Sequence, residues 1–582
     1  VSDRTPKTPR LRPALQDTTP YTVPRRATPT DLRLAGNEGP EPPSTLINEV
    51  LAELEPATLR EYPSASALEL DLARRLGCAP AELIVTAGAD DALWRACQCT
   101  LEPGRDLLVA TPTFAMLPRY AELLGAGLRE VPWPDGPYPV DAILARLDDG
   151  VGAVALVTPN NPTGCVLTAD DLRRVCEADH DALVLLDHAY VEFADEDLTS
   201  AARDYPNVVV ARTLSKAWGL AGLRVGFATG AEPLVSAMRA AGNPYAVSGP
   251  SLVLARARLE LSSGDIERFV ARARDERVEI AQALTRLGAR TTDSHANFAF
   301  ARTPRAVVAR DALASLGIAT RAWPGDPALG DAIRISCPGS KPGLDRLLRG
   351  LEACRPEAIL LDMDGVMVDV SRSYRGAIIA TAARYGVEVT PADIRRVKLA
   401  GDANNDWVVT QRLLAQAGQT TTLDAVTAIF EQIYQGTDGH PGLRETERPL
   451  ADRAFYARLV ERGVKLGVVT GRPRADARRF LDDQGIADLF EVVVCMEDGP
   501  AKPAPDPVLA ATRALGVRSA WFVGDTPDDA AAARAATATR EADVVAWGVF
   551  APGERSPEQE GALLAAGAGR VLNTLTELEE LL

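Results

Sequence analysis

A chain of 582 residues exceeds what one hydrophobic core organises, so two to four domains are expected, and 46% hydrophobic with 25% charged residues excludes a disordered or fibrous protein. A formal net charge of -17 with no basic patch between residues 31 and 582 argues against nucleic acid as a partner. No apolar run approaches the ~20 residues of a membrane helix and the polar start carries no apolar signal segment, so a cytoplasmic protein acting on small molecules is expected.

Residues 1 to about 30 contain Pro6, Pro9, Pro13, Pro20, Pro24 and Pro29 without an apolar period, which predicts an extended arm rather than a regular helix. Strand-length apolar runs then alternate with helical patterns: ELIVTAG from 82, DLLVATP from 106, VGAVALVTP from 151, LVLLDHAY from 183 and NVVVART from 207. Continuous Val/Leu/Ala runs of this kind predict a mostly parallel sheet covered on both faces, a large α/β domain over about 55–285. HANFAFAR from 295 and DAIRIS from 331 predict a smaller α/β domain, built from about 286–354 with the N-terminal segment, so that the first half closes at 31–354. Eight cysteines without a CxxC pair fit reduced thiols, and Cys97 and Cys99 are too close for a zinc site and fit a buried helix. At AILLDMDG from 358 the pattern restarts almost without a linker, with further strands at VKLGVVTG from 464, EVVVCME from 491 and SAWFVGD from 519. The mostly helical, polar insert over about 371–450 predicts a cap within a second domain spanning 355–582.

In the first half, RTLSKAWGLAGLRVGF from 212 sets a lysine, two hydroxyls and an arginine at close spacing. A lone lysine is ordinarily a solvated charge. Here TAGADDA from 86, TPNNPTG from 158 and VLLDHAY from 184 precede it, in the order found in fold-type I pyridoxal-phosphate (PLP) aminotransferases. The chain resembles that superfamily over roughly 31–350, most closely its histidinol-phosphate aminotransferase branch. The resemblance implies that Lys216 bonds covalently to the cofactor and moves the substrate α-proton, and that Asp187 holds the pyridine nitrogen proton. It places Asn161 and Tyr190 at the ring 3'-oxygen and Phe114 on the ring face, with Tyr62 donated across a homodimer interface formed by residues 31–260. The phosphate would meet amides around Ala89 and Asp90, the hydroxyls of Thr213 and Ser215, and Arg224. Arg334 would clamp a substrate carboxylate, with Asn297 nearby; for Phe114 and Asn297, core packing and turn capping are the structural alternatives. His188 replaces the family's usual acidic residue, GNEGPEPP from 36 departs from its asparagine-rich opening, and Ser64 stands for an aspartate. These departures are expected near the substrate, leaving its identity open and a PLP decarboxylase or lyase as the alternative.

In the second half, LLDMDGVMVD from 360 puts two carboxylates two residues apart after an apolar strand. An isolated D-x-D is usually structural, but Thr470, Lys502 and VGDTPDD from 523 follow in order. The set resembles the haloacid dehalogenase superfamily from 358 to about 575. By that resemblance Asp362 is the nucleophile and Asp364 the acid and base, while Thr470 and Lys502 hold the phosphoryl oxygens. Mg²⁺ would take Asp362, the Asp364 carbonyl and Asp525, with Asp529 and less directly Asp528 in support. Asp364 favours phosphate transfer over dehalogenation, because a departing alkoxide needs a proton and a halide does not. Lys398, Asn404, Asn405, Asp406 and Trp407 form a polar-aromatic cluster that reads equally as a substrate lid or as a helix cap beside a core tryptophan. His180, His295 and His440 lack metal-ligand spacing.

Together the halves predict a bifunctional enzyme: glutamate-dependent amination of imidazole-acetol phosphate to histidinol phosphate, then ester hydrolysis. Another phosphorylated amino-ketone, or one half serving as a non-catalytic oligomerisation module, are the alternatives.

Overall fold

The computed structural model describes residues 12–16, 26–261, 264–401, 405–437 and 439–582. They form an α/β chain of two compact units, one holding residues 34–304 and 321–344, the other 25–33, 305–320 and 345–582. Among the described residues no helix is long and apolar enough to cross a membrane.

The first unit is built on a seven-stranded sheet in the order Leu83–Thr86, Gly226–Gly230, Val208–Thr213, Leu183–Asp187, Val151–Val157, Asp106–Thr111, Leu128–Pro132. Gly226–Gly230 runs antiparallel to both neighbours and the remaining pairs are parallel. The uninterrupted apolar runs follow from burial on both faces. Leu107, Val109, Ala153, Ala155 and Leu185 pack under Leu93, Leu117 and Met238. Their alternate neighbours Leu108, Ala110, Val154, Leu156 and Leu186 pack under Val140, Leu172 and Val175. A smaller antiparallel sheet, Arg321–Ala322, Ala332–Ser336, Phe298–Arg302 and Arg290–Thr291, lies against the helix Asp265–Arg286.

The second unit carries an all-parallel sheet in the order Val492–Val494, Lys465–Val469, Ala358–Leu361, Ser519–Gly524, Asp543–Val549, Val571–Leu572. Ala358–Leu361 has the next strand in sequence on one side and a later one on the other. That reversal opens a crevice at the carboxyl end of the strand, where open α/β sheets bind ligands. The insert is helical as expected: Tyr374–Arg384, Pro391–Leu399, Asp406–Gln416 and Leu423–Gln435 pack around Tyr374, Phe430 and Tyr434, with ring centroids 4.3–6.4 Å apart.

One expectation is modified. The proline-rich start includes one helical turn, Pro13–Gln16; a proline is tolerated at a first helical position, whose N–H has no partner in the helix. Pro6, Pro9, Pro20 and Pro24 lie outside the described residues. Residues 305–320 and 345–354 pack in the second unit. The physical reason is a buried carboxylate. Asp311 is 1% exposed and takes guanidinium groups from Arg26 at 2.6 Å, Arg310 at 2.7 Å and Arg570 at 2.7 Å. Beside it the Ala546 amide donates to Ser315 Oγ at 2.8 Å. Asp311→Ala should leave three arginines without their shared anion and cost about 3 kcal/mol in urea unfolding; a loss under about 0.5 kcal/mol would mean that the cluster holds nothing together.

Candidate active sites

In the first unit the expected residues gather at the carboxyl ends of the sheet strands. Asp187 ends its strand 5% exposed, and burial pushes its carboxyl up to about 7, with the Ala189 amide at 3.1 Å and Lys216 opposing. A carboxylate so placed is short of a cation, which a protonated pyridine nitrogen would supply. The Lys216 ammonium stands 5.4 Å from the Tyr190 ring centre and donates to the Gly36 carbonyl at 3.3 Å. The residues expected at a cofactor phosphate are also together: Thr213 Oγ1 donates to Ser215 Oγ at 2.9 Å, and Arg224 reaches Ser215 at 3.5 Å and Asp90 at 3.1 Å. They surround the start of the helix Ala89–Thr100, where Gly88, at φ 83, leaves room that a Cβ would take 2.6 Å from the Arg224 guanidinium. PLP fits this donor set: a buried anion for its ring nitrogen, a lysine, and hydroxyls, amides and an arginine for its phosphate.

Other expected residues have different surroundings. Arg334 is buried and donates to Asn161 Oδ1 and, at 2.7 Å, to the Ala35 carbonyl. Phe114 packs half-buried against the core around Leu117 and Tyr120. Tyr62 is 83% exposed and stacks on Tyr245 at 4.7 Å, outside this chain's own site. His188 is 2% exposed beside Asp197, 3.7 Å away. Burial lowers its imidazole to about 3 against the pull of Asp197, so it is neutral and packed rather than offered to a ligand.

The sequence reading counted Asn37 among the departures near the substrate and gave it no role of its own. It is buried at φ 54, its amide donates to Tyr190 Oη at 3.0 Å, and it exchanges bonds with Ser336, N to Oγ at 3.1 Å and Oγ to Oδ1 at 2.8 Å. Asn297 holds the same segment, donating to the Asn37 and Glu38 carbonyls at 3.3 and 3.2 Å. Gly39 lies so close that a Cβ would come 1.6 Å from the Lys216 carbonyl oxygen. The departure at GNEGPEPP is therefore a strap across the lysine loop, and an asparagine at positive φ beside a close-packed glycine was its only sequence signal.

In the second unit Asp362, Asp525 and Asp529 are buried with carboxylate oxygens within 4.8 Å of one another. Lys502 bridges Asp362 at 2.9 Å and Asp529 at 2.5 Å. Burial raises the Asp362 carboxyl to about 7 despite Lys502, and raises Asp525 strongly with Asp529 and Asp362 adding to it. Burial pulls the Lys502 ammonium down, but the two carboxylates outweigh it and keep it charged. Lys502, and Arg375 at 3.6 Å from Asp525 but shared with Glu554, face three clustered carboxylates, and such an oxygen-lined set suits a hard divalent cation such as Mg²⁺. Asp529 is oriented by Thr526, whose N–H and hydroxyl donate at 3.0 and 2.6 Å. Thr470, directly after the strand Lys465–Val469, is 6% exposed, and Asp528 is buried beside Asp529.

Two arginines here were not anticipated. Arg375 lies 3.6 Å from Asp525 and also pairs with Glu554, and Arg472 donates to Asp364 at 2.6 Å. In the cap, Asn405 accepts from the Trp407 and Val408 amides at 2.9 and 3.2 Å, Trp407 donates to Glu431 at 3.1 Å, and Lys398 pairs with Asp406 at 3.0 Å. Asn404 lies outside the described residues. Asn405 caps the helix Asp406–Gln416, and Asn405, Asp406 and Trp407 line one cavity with Asp364, Tyr374, Arg472 and Met496.

Asp187 has a folded-state pKa of about 7 against an ordinary 3.8. Its contribution to the stability of cofactor-free protein is therefore full below about pH 4 and is lost as pH rises to about 7. Asp187→Asn, which imitates the protonated form, should gain on wild type between pH 5 and pH 8 in urea unfolding; an equal difference at both pH values would contradict the assignment.

Residues 28–351 match the model of the aminotransferase class I and II family, and residues 356–537 that of the haloacid dehalogenase-like hydrolases. An imidazoleglycerol-phosphate dehydratase of Phytophthora nicotianae is 47% identical over 240 residues, which is 37% of this chain and 52% of that protein, so the chain spans about half of that relative. An aromatic amino acid aminotransferase of Mycobacteroides abscessus is 35% identical over 298 residues, covering 50% of this chain and 84% of that protein. A histidinol-phosphate aminotransferase of Erythrobacter litoralis is 34% identical over 334 residues, covering 55% and 89%. In fold, the chain is similar to the histidinol-phosphate aminotransferase of Sinorhizobium meliloti solved with pyridoxal-5'-phosphate, at a TM-score of 0.53 and 23% identity over 60% of this chain and 98% of that one. The chain belongs to the aminotransferase class I and II family and continues into a haloacid dehalogenase-like hydrolase domain.

Proposed function

We propose that the chain aminates imidazole-acetol phosphate with glutamate and hydrolyses the resulting histidinol phosphate to histidinol. The observation that carries this reading is the pair of buried acid–lysine constellations on one chain, Asp187 with Lys216 and Asp362 with Lys502. A phosphate ester that survives amination is what the second constellation consumes. The relatives named for histidinol phosphate and imidazoleglycerol phosphate support an imidazole-bearing phosphate ester as the shared molecule.

In the first site, PLP when bound supplies an electron-accepting ring. Asp187 holds the proton at the ring nitrogen, Tyr190 and Asn161 serve the 3'-oxygen, and Thr213, Ser215 and Arg224 fix the phosphate. The Lys216 amine takes the α-proton from one substrate and returns it to the other. Arg334 meets the glutamate carboxylate with its planar fork. The strap at 36–40 keeps water from the lysine.

In the second site Asp362, the Asp364 carbonyl and Asp525, with Asp529 in support, would hold Mg²⁺, which when bound would neutralise phosphoryl charge. Asp362 attacks phosphorus, the ester P–O bond breaks, and Asp364 gives its proton to the departing alkoxide. Asp364 then takes a proton from water, which attacks phosphorus and releases inorganic phosphate and Asp362. Thr470 and Lys502 hold the phosphoryl oxygens throughout.

The working assembly is a homodimer through residues 31–260. Leu59 and Tyr62, 70% and 83% exposed, and Tyr245 and Leu261, 52% and 53% exposed, are large apolar side chains in need of cover. Tyr62 then reaches the partner's cofactor.

Lys216→Ala should lower amination by about 10³-fold or more while p-nitrophenyl phosphate hydrolysis stays at wild-type rate, and Asp362→Asn should do the reverse. If one substitution removed both activities from a folded protein, the two sites would not be the independent centres described.

A further inference from the structure

Arg472, two residues beyond Thr470, has a fully buried side chain. A buried guanidinium is tolerated only when its donors are met, and here the partners come from three stretches of chain. Nε donates to Asp364 Oδ1 at 2.6 Å. The terminal nitrogens donate to Glu447, Nη1 to Oε2 at 3.2 Å and Nη2 to Oε1 at 3.0 Å. The flat face lies over the Tyr374 ring, 4.7 Å from its centre.

The placement of those partners gives the contact its meaning. Tyr374 opens the first cap helix, where the chain leaves the core. Glu447 stands where it returns, directly before Arg448–Pro449, which pairs with Val368–Asp369. Tyr434, on the last cap helix, donates its hydroxyl to Glu447 at 2.9 Å. One guanidinium thus joins Asp364 to both crossings into the cap.

We propose that Arg472 is a positioning residue of the phosphatase site, aiming the Asp364 carboxyl at the leaving oxygen and making that aim depend on the cap linkers through Glu447. The proposal rests on the reading of Asp364 as proton donor. Arg472 occupies Oδ1, so Oδ2 is left to carry the proton. As Asp362 bonds to phosphorus and the ester P–O bond breaks, that proton passes to the departing alkoxide. A planar fork fixes the carboxyl plane and engages Glu447 at once, whereas a lysine, a single point charge, cannot do both.

The test uses the full chain with Mg²⁺ and two monoesters, p-nitrophenyl phosphate, whose leaving group departs as a stable anion, and benzyl phosphate, whose alkoxide needs the proton. The quantity is kcat/KM, which ends at the first irreversible step and so excludes breakdown of the phosphoenzyme. Arg472→Lys should lower kcat/KM for benzyl phosphate about 100-fold and leave p-nitrophenyl phosphate near wild type. Glu447→Gln should show the same split in smaller measure, about tenfold. Asp364→Asn, run alongside, must give the split at least as strongly. If Asp364→Asn slows both esters equally, the proton-donor reading falls and the proposal with it. If Asp364→Asn splits them while Arg472→Lys slows both equally or neither, Arg472 only supports the fold and the positioning claim is overturned. A Glu447→Gln protein without the split would overturn the dependence on the cap.

Discussion

A carboxylate carried into a protein interior at the end of a β-strand is costly until a cation meets it, and both halves of this chain are organised around that constraint. In the first unit Asp187 ends a five-residue strand buried along its whole length, and burial drives its carboxyl up to about 7. In the second, Asp362, Asp525 and Asp529 crowd within 4.8 Å with Lys502 between two of them. Neither arrangement would be retained for stability alone, since apolar side chains would fill the same space at less cost. Each makes sense as half of a site whose other half is a cationic group brought from outside: a protonated ring nitrogen in one case, a divalent metal in the other.

The strands supply the geometry that this needs. Parallel sheets buried on both faces direct their carboxyl ends to one side, and the loops there can be short and rigid because the strands beneath them are packed. The same logic gives the two sites different surroundings. On the proposed function, the aminotransferase unit's helix start with Ser, Thr and Arg serves a phosphate held throughout turnover. The hydrolase domain's lysine and threonine, on the same proposal, stand where a phosphoryl group arrives, is transferred and leaves. The two chemistries fit one molecule, because amination leaves a phosphate ester untouched and hydrolysis requires one.

Much of this was legible in the linear sequence because it is encoded locally. Runs such as VGAVALV announce a doubly covered strand, and Lys216, Asp187, Asp362, Asp364, Lys502 and Asp525 stand in short motifs whose spacing reflects strand ends. What escaped was encoded over distance. Asn37 acquires its role from Tyr190 and Ser336, 153 and 299 residues away, so GNEGPEPP read as a departure rather than as a strap. Arg472 was hidden for the same reason, its partners Asp364 and Glu447 lying 108 and 25 residues away. His188 looked like a substrate-facing change because it adjoins Asp187, but alternation along an extended chain turns it to Asp197 and Arg212.

The central claim is that both centres act on one phosphorylated molecule, and it is tested most directly by a single time course. Full-length protein is supplied with PLP, Mg²⁺, glutamate and imidazole-acetol phosphate, and 2-oxoglutarate and inorganic phosphate are followed together. The account predicts that 2-oxoglutarate rises first, that phosphate follows with a lag, and that omitting glutamate abolishes both. Phosphate released at the same rate without glutamate, or 2-oxoglutarate formed with no phosphate after it, would contradict the account.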